Sequence, residues 1–228
     1  MRRIFVVELI KIYIGEPVAL DLLGKKELSG ILVDFGSEVL ILYRQDEYFY
    51  IPLFHIRGIR SLSKEEADTL TQPDKLTEIS LTEELSLKKV LEAAKGVFLE
   101  INVTAAQPFH GYITNILDDY VVFFSPTYQT MLIPFQHIKW LIPYPPASHP
   151  YGFKNTILPA TSTAKSFART FASQIEKMAG AFITCNVGEK ESKSGKLLSK
   201  GNHFVHLLTA KERQIHISIP HIKNIICP

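Results

Sequence analysis

Fifteen residues separate Gly15 from Gly30, Gly96 from Gly111 and Gly180 from Gly195, and this thrice-repeated spacing restricts the possible folds more than any other feature of the chain. A histidine closes each stretch: His55, His137 and His221 fall 25, 26 and 26 residues after the second glycine. The text around them recurs as Ile51-Pro52-Leu53-Phe54-His55-Ile56, Ile133-Pro134-Phe135-Gln136-His137-Ile138 and Ile217-Ser218-Ile219-Pro220-His221-Ile222. A chain of 228 residues that repeats itself at intervals of 82 and 84 residues reads as a tandem array of one small unit.

The shared offsets say what that unit is. Three, five and seven residues after the first glycine stand Val18, Leu20 and Leu22, then Leu99, Ile101 and Val103, then Ile183, Cys185 and Val187. Strict alternation of this kind marks a strand with one buried face. After the second glycine, Leu32, Ile113 and Leu197 share one offset, and the pairs Leu40 and Leu42, Val121 and Phe123, Val205 and Leu207 share two more. Second and third strands follow, joined at Gly36-Ser37, Asp118-Asp119 and Gly201-Asn202, residues that accept tight turn geometry.

Upstream of the first glycine, Leu87 and Leu91, and Phe167, Phe171, Ile175 and Met178, recur at helical intervals, and Gly96 or Gly180 ends each helix. Val6, Leu9, Ile10 and Tyr13 hold the corresponding place in the first repeat. Pro52, Pro134 and Pro220 share one parity relative to their histidines and direct a missing N–H toward the same edge of the strand they end, so that edge is expected to be incompletely paired. Each unit therefore reads as a helix followed by four or five short strands closing into a small bent β-barrel. The expected class is mainly β with short helices. The expected modules span residues 1–62, 83–143 and 164–228, with a Ser, Thr and acid-rich linker at 63–82 and a Pro-rich one at 144–163. A unit of about 60 residues buries too little surface to be more than marginally stable alone, so packing between units is expected.

Composition excludes several classes. With 46% hydrophobic and 21% charged residues the chain is of globular type, not disordered or collagenous. Cys185 and Cys227 are too few for a disulfide scaffold and point to folding in a reducing compartment. Glu8 and Lys11 interrupt the apolar start before it reaches signal-peptide length, and the uncharged stretch from Tyr120 to Ile138 contains two prolines, so neither export nor a membrane helix is expected. Charge is uneven: residues 151–228 hold 11 Lys and Arg against 4 Asp and Glu, a net of +7, whereas residues 1–72 hold 9 against 11 and residues 73–150 hold 5 against 8, nets of −2 and −3. Opposite ends of the chain can attract one another or different partners.

The run Gly30-Ile31-Leu32-Val33-Asp34-Phe35 leading into Val39-Leu40-Ile41-Leu42 resembles the first motif of Sm-like proteins, and Ile56-Arg57-Gly58 resembles their second. That resemblance implies three tandem Sm-like modules. The asparagine that holds an RNA base in Sm-like proteins is replaced by Glu38, Asp119 or His203, so the nucleotide pocket is not expected to carry over. A fuller resemblance, over nearly the whole chain, is to the N-terminal repeat region of the spore coat protein B family of endospore-forming bacilli. Gly188-Glu189-Lys190-Glu191-Ser192-Lys193-Ser194-Gly195-Lys196, His137-Ile138-Lys139 and His221-Ile222-Lys223-Asn224-Ile225 carry it. The long Ser, Lys and Arg-rich tail of that family does not follow the third unit. The resemblance implies a structural protein that is made in the mother cell cytoplasm, deposited on the spore, and partnered by other coat proteins or by itself.

No phosphate-binding glycine loop, zinc-protease helix or nucleophile elbow occurs, and no enzyme activity or cofactor is expected. Asp118-Asp119 and Glu83-Glu84 read as turn and helix-start charges. His203, His206, His216 and His221 beside Cys185 invite a metal, but His203 and His206 face opposite sides of a strand and Cys185 aligns with the core residues Leu20 and Ile101. Three surfaces are left. His55, His137 and His221 are read as structural histidines at a module rim, with pH-dependent assembly below about pH 6 as the alternative. Tyr120, Phe124, Tyr128, Trp140 and Tyr144 crowd a segment with almost no charge and form the candidate protein interface. Lys190, Lys193, Lys196 and Lys200 form the candidate basic patch, with Phe204 as a stacking residue if the partner is single-stranded RNA, the second function considered.

Overall fold

The computed structural model describes residues 10–24, 26–73, 85–104, 107–146, 148, 150–152 and 166–226. The expected helix residues Val6 and Leu9, the Glu83-Glu84 pair, Cys227 and much of both linkers lie outside them. The chain is mainly β, with short helices, and its strands pair antiparallel. It divides into two compact units.

The first unit comprises residues 1–93 and 139–143. Its strands are β1 (Pro17–Leu22), β2 (Lys26–Phe35), β3 (Val39–Arg44), β4 (Glu47–Pro52) and β5 (Ile56–Ser61), followed by two helices, α1 (Lys64–Ala67) and α2 (Leu87–Ala93). The second unit comprises residues 94–138 and 144–228, with β6 (Phe98–Asn102), β7 (Phe109–Ile116), β8 (Tyr120–Ser125) and β9 (Gln129–Pro134). After these come α3 (Phe171–Lys177), β11 (Phe182–Cys185), β12 (Lys193–Lys200), β13 (Phe204–Leu208), β14 (Gln214–Ser218) and β15 (Ile225–Ile226). The short strand β10 (Trp140–Pro143) belongs to the first unit.

The threefold landmarks fall on like elements. Gly15, Gly96 and Gly180 all adopt left-handed backbone, at φ of 82, 76 and 86°, which turns the chain from helix to strand at a conformation disfavoured for other residues. Each then donates its N–H to the carbonyl two residues past the second glycine, Leu32, Ile113 or Leu197, at 2.7, 3.1 and 2.7 Å. The second glycines lie inside β2, β7 and β12, where a Cβ would collide with the carbonyl oxygen of Tyr43, Phe124 or Leu208 on the next strand. One residue is bulged out at the same offset in all three strands, between Leu32 and Asp34, Ile113 and Asn115, and Leu197 and Ser199. A bulge sharpens the local bend, which folds each long second strand over its own alternating face.

Those faces form the cores. Val18, Leu20, Leu22, Leu32, Leu40, Leu42 and Ile51 are buried in the first unit. Ile183, Cys185, Leu197, Val205, Leu207 and Ile222 are buried in the second. The three histidines each end a single 3-10 turn, at Leu53–His55, Phe135–His137 and Ile219–His221. The segment 63–82, read as linker, begins with the one-turn helix α1, held by a capping box in which the Ser63 side chain accepts from Glu66 N–H and the Glu66 carboxylate accepts from Ser63 N–H.

Candidate functional site at the repeat junctions

Among the described residues, a set of contacts recurs where one sequence repeat receives the next. In the first unit the Glu38 carboxylate accepts the Leu87 N–H at 2.9 Å, while Glu38 N–H donates to the carbonyl of Leu85, two residues earlier, at 3.1 Å. In the second unit Asp119 accepts the Phe171 N–H at 2.7 Å, and Asp118 N–H donates to Arg169 O, again two residues earlier, at 3.0 Å. Glu38 and Asp119 stand eight residues after the second glycine of their repeats. A turn carboxylate thus holds the backbone at the start of the following helix, satisfying an N–H that the helix cannot bond internally.

Two further contacts recur. The closing strand of the following repeat adds antiparallel to the fourth strand of the preceding one: Leu141 of β10 lies opposite Tyr50 of β4, and Ile225 and Ile226 of β15 lie opposite Leu132 and Met131 of β9. Counted from the histidines, the position four after is paired with the position five before in both cases. The fourth strand is therefore paired on its outer side over only one or two residues, and its terminal Pro52 or Pro134 lies past that pairing. The outward residue at the start of the third strand is also covered, since Val39 and Tyr120 are both fully buried. Tyr120 donates its hydroxyl to Ala168 O at 2.7 Å and packs its ring on Phe171 at 5.8 Å between centroids. Burial, with the neighbouring Asp119 carboxylate second, pushes the Tyr120 hydroxyl up to about 12.

This places the expected interface residues. Tyr120 and Trp140 are interior, and the contact each makes is between repeats of the same chain: Tyr120 lies in the core shared with α3, and Trp140 lies in the first-unit core, 6.3 Å from Phe49 and with Lys26 Nζ 4.5 Å above its ring. Burial removes both from any surface open to a separate partner. Phe124, Tyr128 and Tyr144 are half-buried. Tyr144 packs edge-on to Phe98 at 5.1 Å, with its hydroxyl 3.2 Å from His110 Nδ1, and Tyr128 packs edge-on to Phe109 at 5.4 Å. The last pair walls a half-open depression of ≈ 250 Å³ that Pro108, His110 and Tyr151 also line, and burial holds His110 below the usual imidazole range.

The lysines do not converge. Lys190 is in the turn before β12 and Lys193 begins the strand, while Lys196 lies opposite Leu208 on the outward face and Lys200 opposite Val205 on the inward one. The histidines occupy equivalent positions in unlike surroundings: His55 is buried, His137 half-buried and His221 exposed. Their carbonyls are used, that of His55 accepting from Leu23 N–H at 2.8 Å and that of His221 from the Asn186 side chain at 3.1 Å. Among the described residues no group of three His, Cys, Asp or Glu side chains is placed to hold a metal, and no helix is long and apolar enough to cross a membrane.

One pin escaped sequence reasoning. Asn224 is fully buried and bonds Val187 twice, accepting its N–H at 2.9 Å and donating to its carbonyl at 3.1 Å, while Asn186 binds Lys223 N–H at 2.7 Å. A lone asparagine near a chain end gives no sign that its backbone partner stands 37 residues away.

Antiparallel strands joined at two like junctions define a mainly β protein in which each of the first two sequence repeats is completed by the next. Compared with known proteins, the chain is 30% identical over 219 residues to the uncharacterized protein YwrJ of Bacillus subtilis (strain 168), covering 95% of this chain and 97% of that one. The model of the YwrJ third domain matches residues 170–225, from the residue that caps α3 to the first residue of β15. The chain belongs to the YwrJ family. No solved structure matches it.

Proposed function

We propose that this chain is a non-enzymatic structural protein of the bacterial spore coat, acting through protein–protein contacts made by three small bent Sm-like barrel modules, each led by a helix. The observation that carries the reading is the repeat junction, made twice in the same strand register, with a carboxylate and a buried outward residue at the same positions. A surface that recurs at constant register is selected for docking like units, and strand addition at an open edge is a general route to assembly. The compartment and the coat partners come from the likeness to the spore coat protein B repeats carried by Gly188 to Lys196 and by the His-Ile-Lys strands.

A fluorescently tagged chain followed through sporulation tests this. Signal is expected in the mother cell and then as a shell on the released spore; signal left diffuse in the mother cell and absent from purified spores would overturn it. The RNA reading is tested with the purified chain and single-stranded RNA across a salt series. Little salt-sensitive binding is expected, because the bulge between Leu197 and Ser199 puts Lys196 and Lys200 on opposite faces of β12. Tight binding abolished by Lys190→Glu, Lys193→Glu and Lys196→Glu together would favour RNA instead.

A further inference from the structure

Among the described residues, nothing covers the corresponding surface of the third repeat. Its turn keeps the backbone pattern of the other two: Gly201 N–H donates to Phe204 O at 2.8 Å, as Gly36 does to Val39 and Leu117 to Tyr120, and Ile219 N–H donates to His203 O at 2.9 Å, as Leu53 does to Glu38 and Phe135 to Asp119. Phe204 holds the position of the fully buried Val39 and Tyr120, yet is 47% exposed. Ile217 aligns with Ile51 and Ile133, which are fully buried, yet is only half-buried. Among the described residues β14 pairs with β13 alone, whereas β4 and β9 each take a second partner from the following repeat. At the other end β5, the closing strand of the first repeat, pairs among the described residues with β1 alone, whereas β15 bridges β11 and β9. Ile56 and Ile59 on β5 are half-buried, while their counterparts Ile138, Leu141, Ile222 and Ile225 are fully buried.

We propose that β14 of one copy receives β5 of a second copy, joining chains head to tail, with Ile59 of the second copy opposite His216. The register follows from the two internal junctions. Position four after the histidine meets position five before it, giving Leu141 with Tyr50, Ile225 with Leu132 and, across copies, Ile59 with His216. Strand β5 is already set for this: Ile59 lies opposite Leu20 on β1 just as Ile225 lies opposite Cys185 on β11, at equivalent offsets from the first glycine. Charge agrees, since the last third of the chain carries +7 and the first third −2. The open face is more polar than the two closed ones. His203 replaces the carboxylate, and His206 and His216, their rings 4.4 Å apart, replace Val122 and Leu132. A junction that must stay soluble before it closes needs that polarity, so it is weaker than the internal ones and depends on concentration.

The inference deepens the assembly reading above and rests on it, but the two fail separately. The full chain carrying Cys227→Ser is given Ile59→Cys, His216→Cys, or both, and is oxidised at a concentration series. Covalent dimers or higher multiples from the double variant, and none from either single variant, are expected, because only the head-to-tail register sets unlike positions together. Dimers from Ile59→Cys or His216→Cys alone would mean a symmetric contact and overturn the proposal. Sedimentation of the unmodified chain gives the second measurement. Mass rising with concentration, with a dissociation constant raised about tenfold or more by the surface substitution Phe204→Glu, is expected. A monomer at every concentration would mean that the third repeat is a polar cap, and the proposal would fall even if the tagged chain reached the spore.

Discussion

Tyr120 shows how one side chain combines packing and electrostatics at a junction. Its ring joins the core around α3, and its hydroxyl finds the Ala168 carbonyl because a buried phenol left unbonded would lose its hydration without return. Burial and the adjacent Asp119 carboxylate both oppose ionisation, which pushes the hydroxyl up to about 12. An acid whose folded value lies above its unfolded value of about 10 keeps its proton longer in the native state. Stability from this group is then fully present below about pH 10 and is lost as pH rises toward the folded value. Tyr120→Phe is expected to lose about 1 kcal/mol at pH 8, the usual net worth of one hydrogen bond, and to flatten the decline between pH 9 and 11. Thermal melts at the three pH values read both effects, and a variant that declines as steeply as the parent would refute the assignment. The sequence marked Tyr120 and Trp140 as aromatic residues meant for contacts, but not which contacts. Composition records an excess of rings; only the packing says that the partner is the next stretch of the same chain.

At the level of elements, alternation was a good guide to the first strands, because positions three and five after each first glycine are fully buried, although Val187 at position seven of the third repeat lies past β11 and is only half-buried. What the pattern could not show was the bulge. Period two simply resumes out of phase beyond it, and a one-residue slip looks in sequence like an ordinary polar interruption. Glu38 and Asp119 were hidden for a different reason: the N–H groups they hold are 49 and 52 residues away, so no local capping signature exists. The second glycines were legible as landmarks, and their cause is steric. At Gly111 an added Cβ would press into Phe124 O and approach Ser125 Cα at 3.0 Å, both on the facing strand. Backbone on a paired strand cannot swing aside as a side chain does. Gly111→Ala is therefore expected to cost about 1 to 3 kcal/mol, the range for forced overpacking. At Gly58, where nothing lies within 4 Å, the same change should be nearly neutral in a denaturant titration. Equal costs at the two sites would show that chain entropy rather than crowding sets the effect.

For the whole molecule, sequence order and compact units do not coincide, since β10 and α2, which belong in order to the second repeat, sit in the unit built on the first. Trp140 and Ile142 fill the core beside Val18, Leu40 and Ile51. Truncating a second-repeat residue should consequently weaken the first-repeat core. Ile142→Ala removes a side chain that is 3% exposed, and its expected cost is about 2 to 5 kcal/mol, the loss of transferred apolar surface plus the cavity left behind. Trp140, the single tryptophan of the chain, reports on this core, so its fluorescence midpoint in urea should fall. Ile175→Ala opens a comparable cavity in the core of the second unit, where Ile175 is fully buried among Tyr120, Ile183 and Leu207. It should lower the midpoint seen by circular dichroism while leaving the fluorescence transition less affected, because the tryptophan lies in the other unit. If Ile142→Ala left the fluorescence midpoint unchanged, β10 would not be part of the first-unit core. The exchange of closing strands between repeats would then lose its support, and with it the register carried over to the contact between copies.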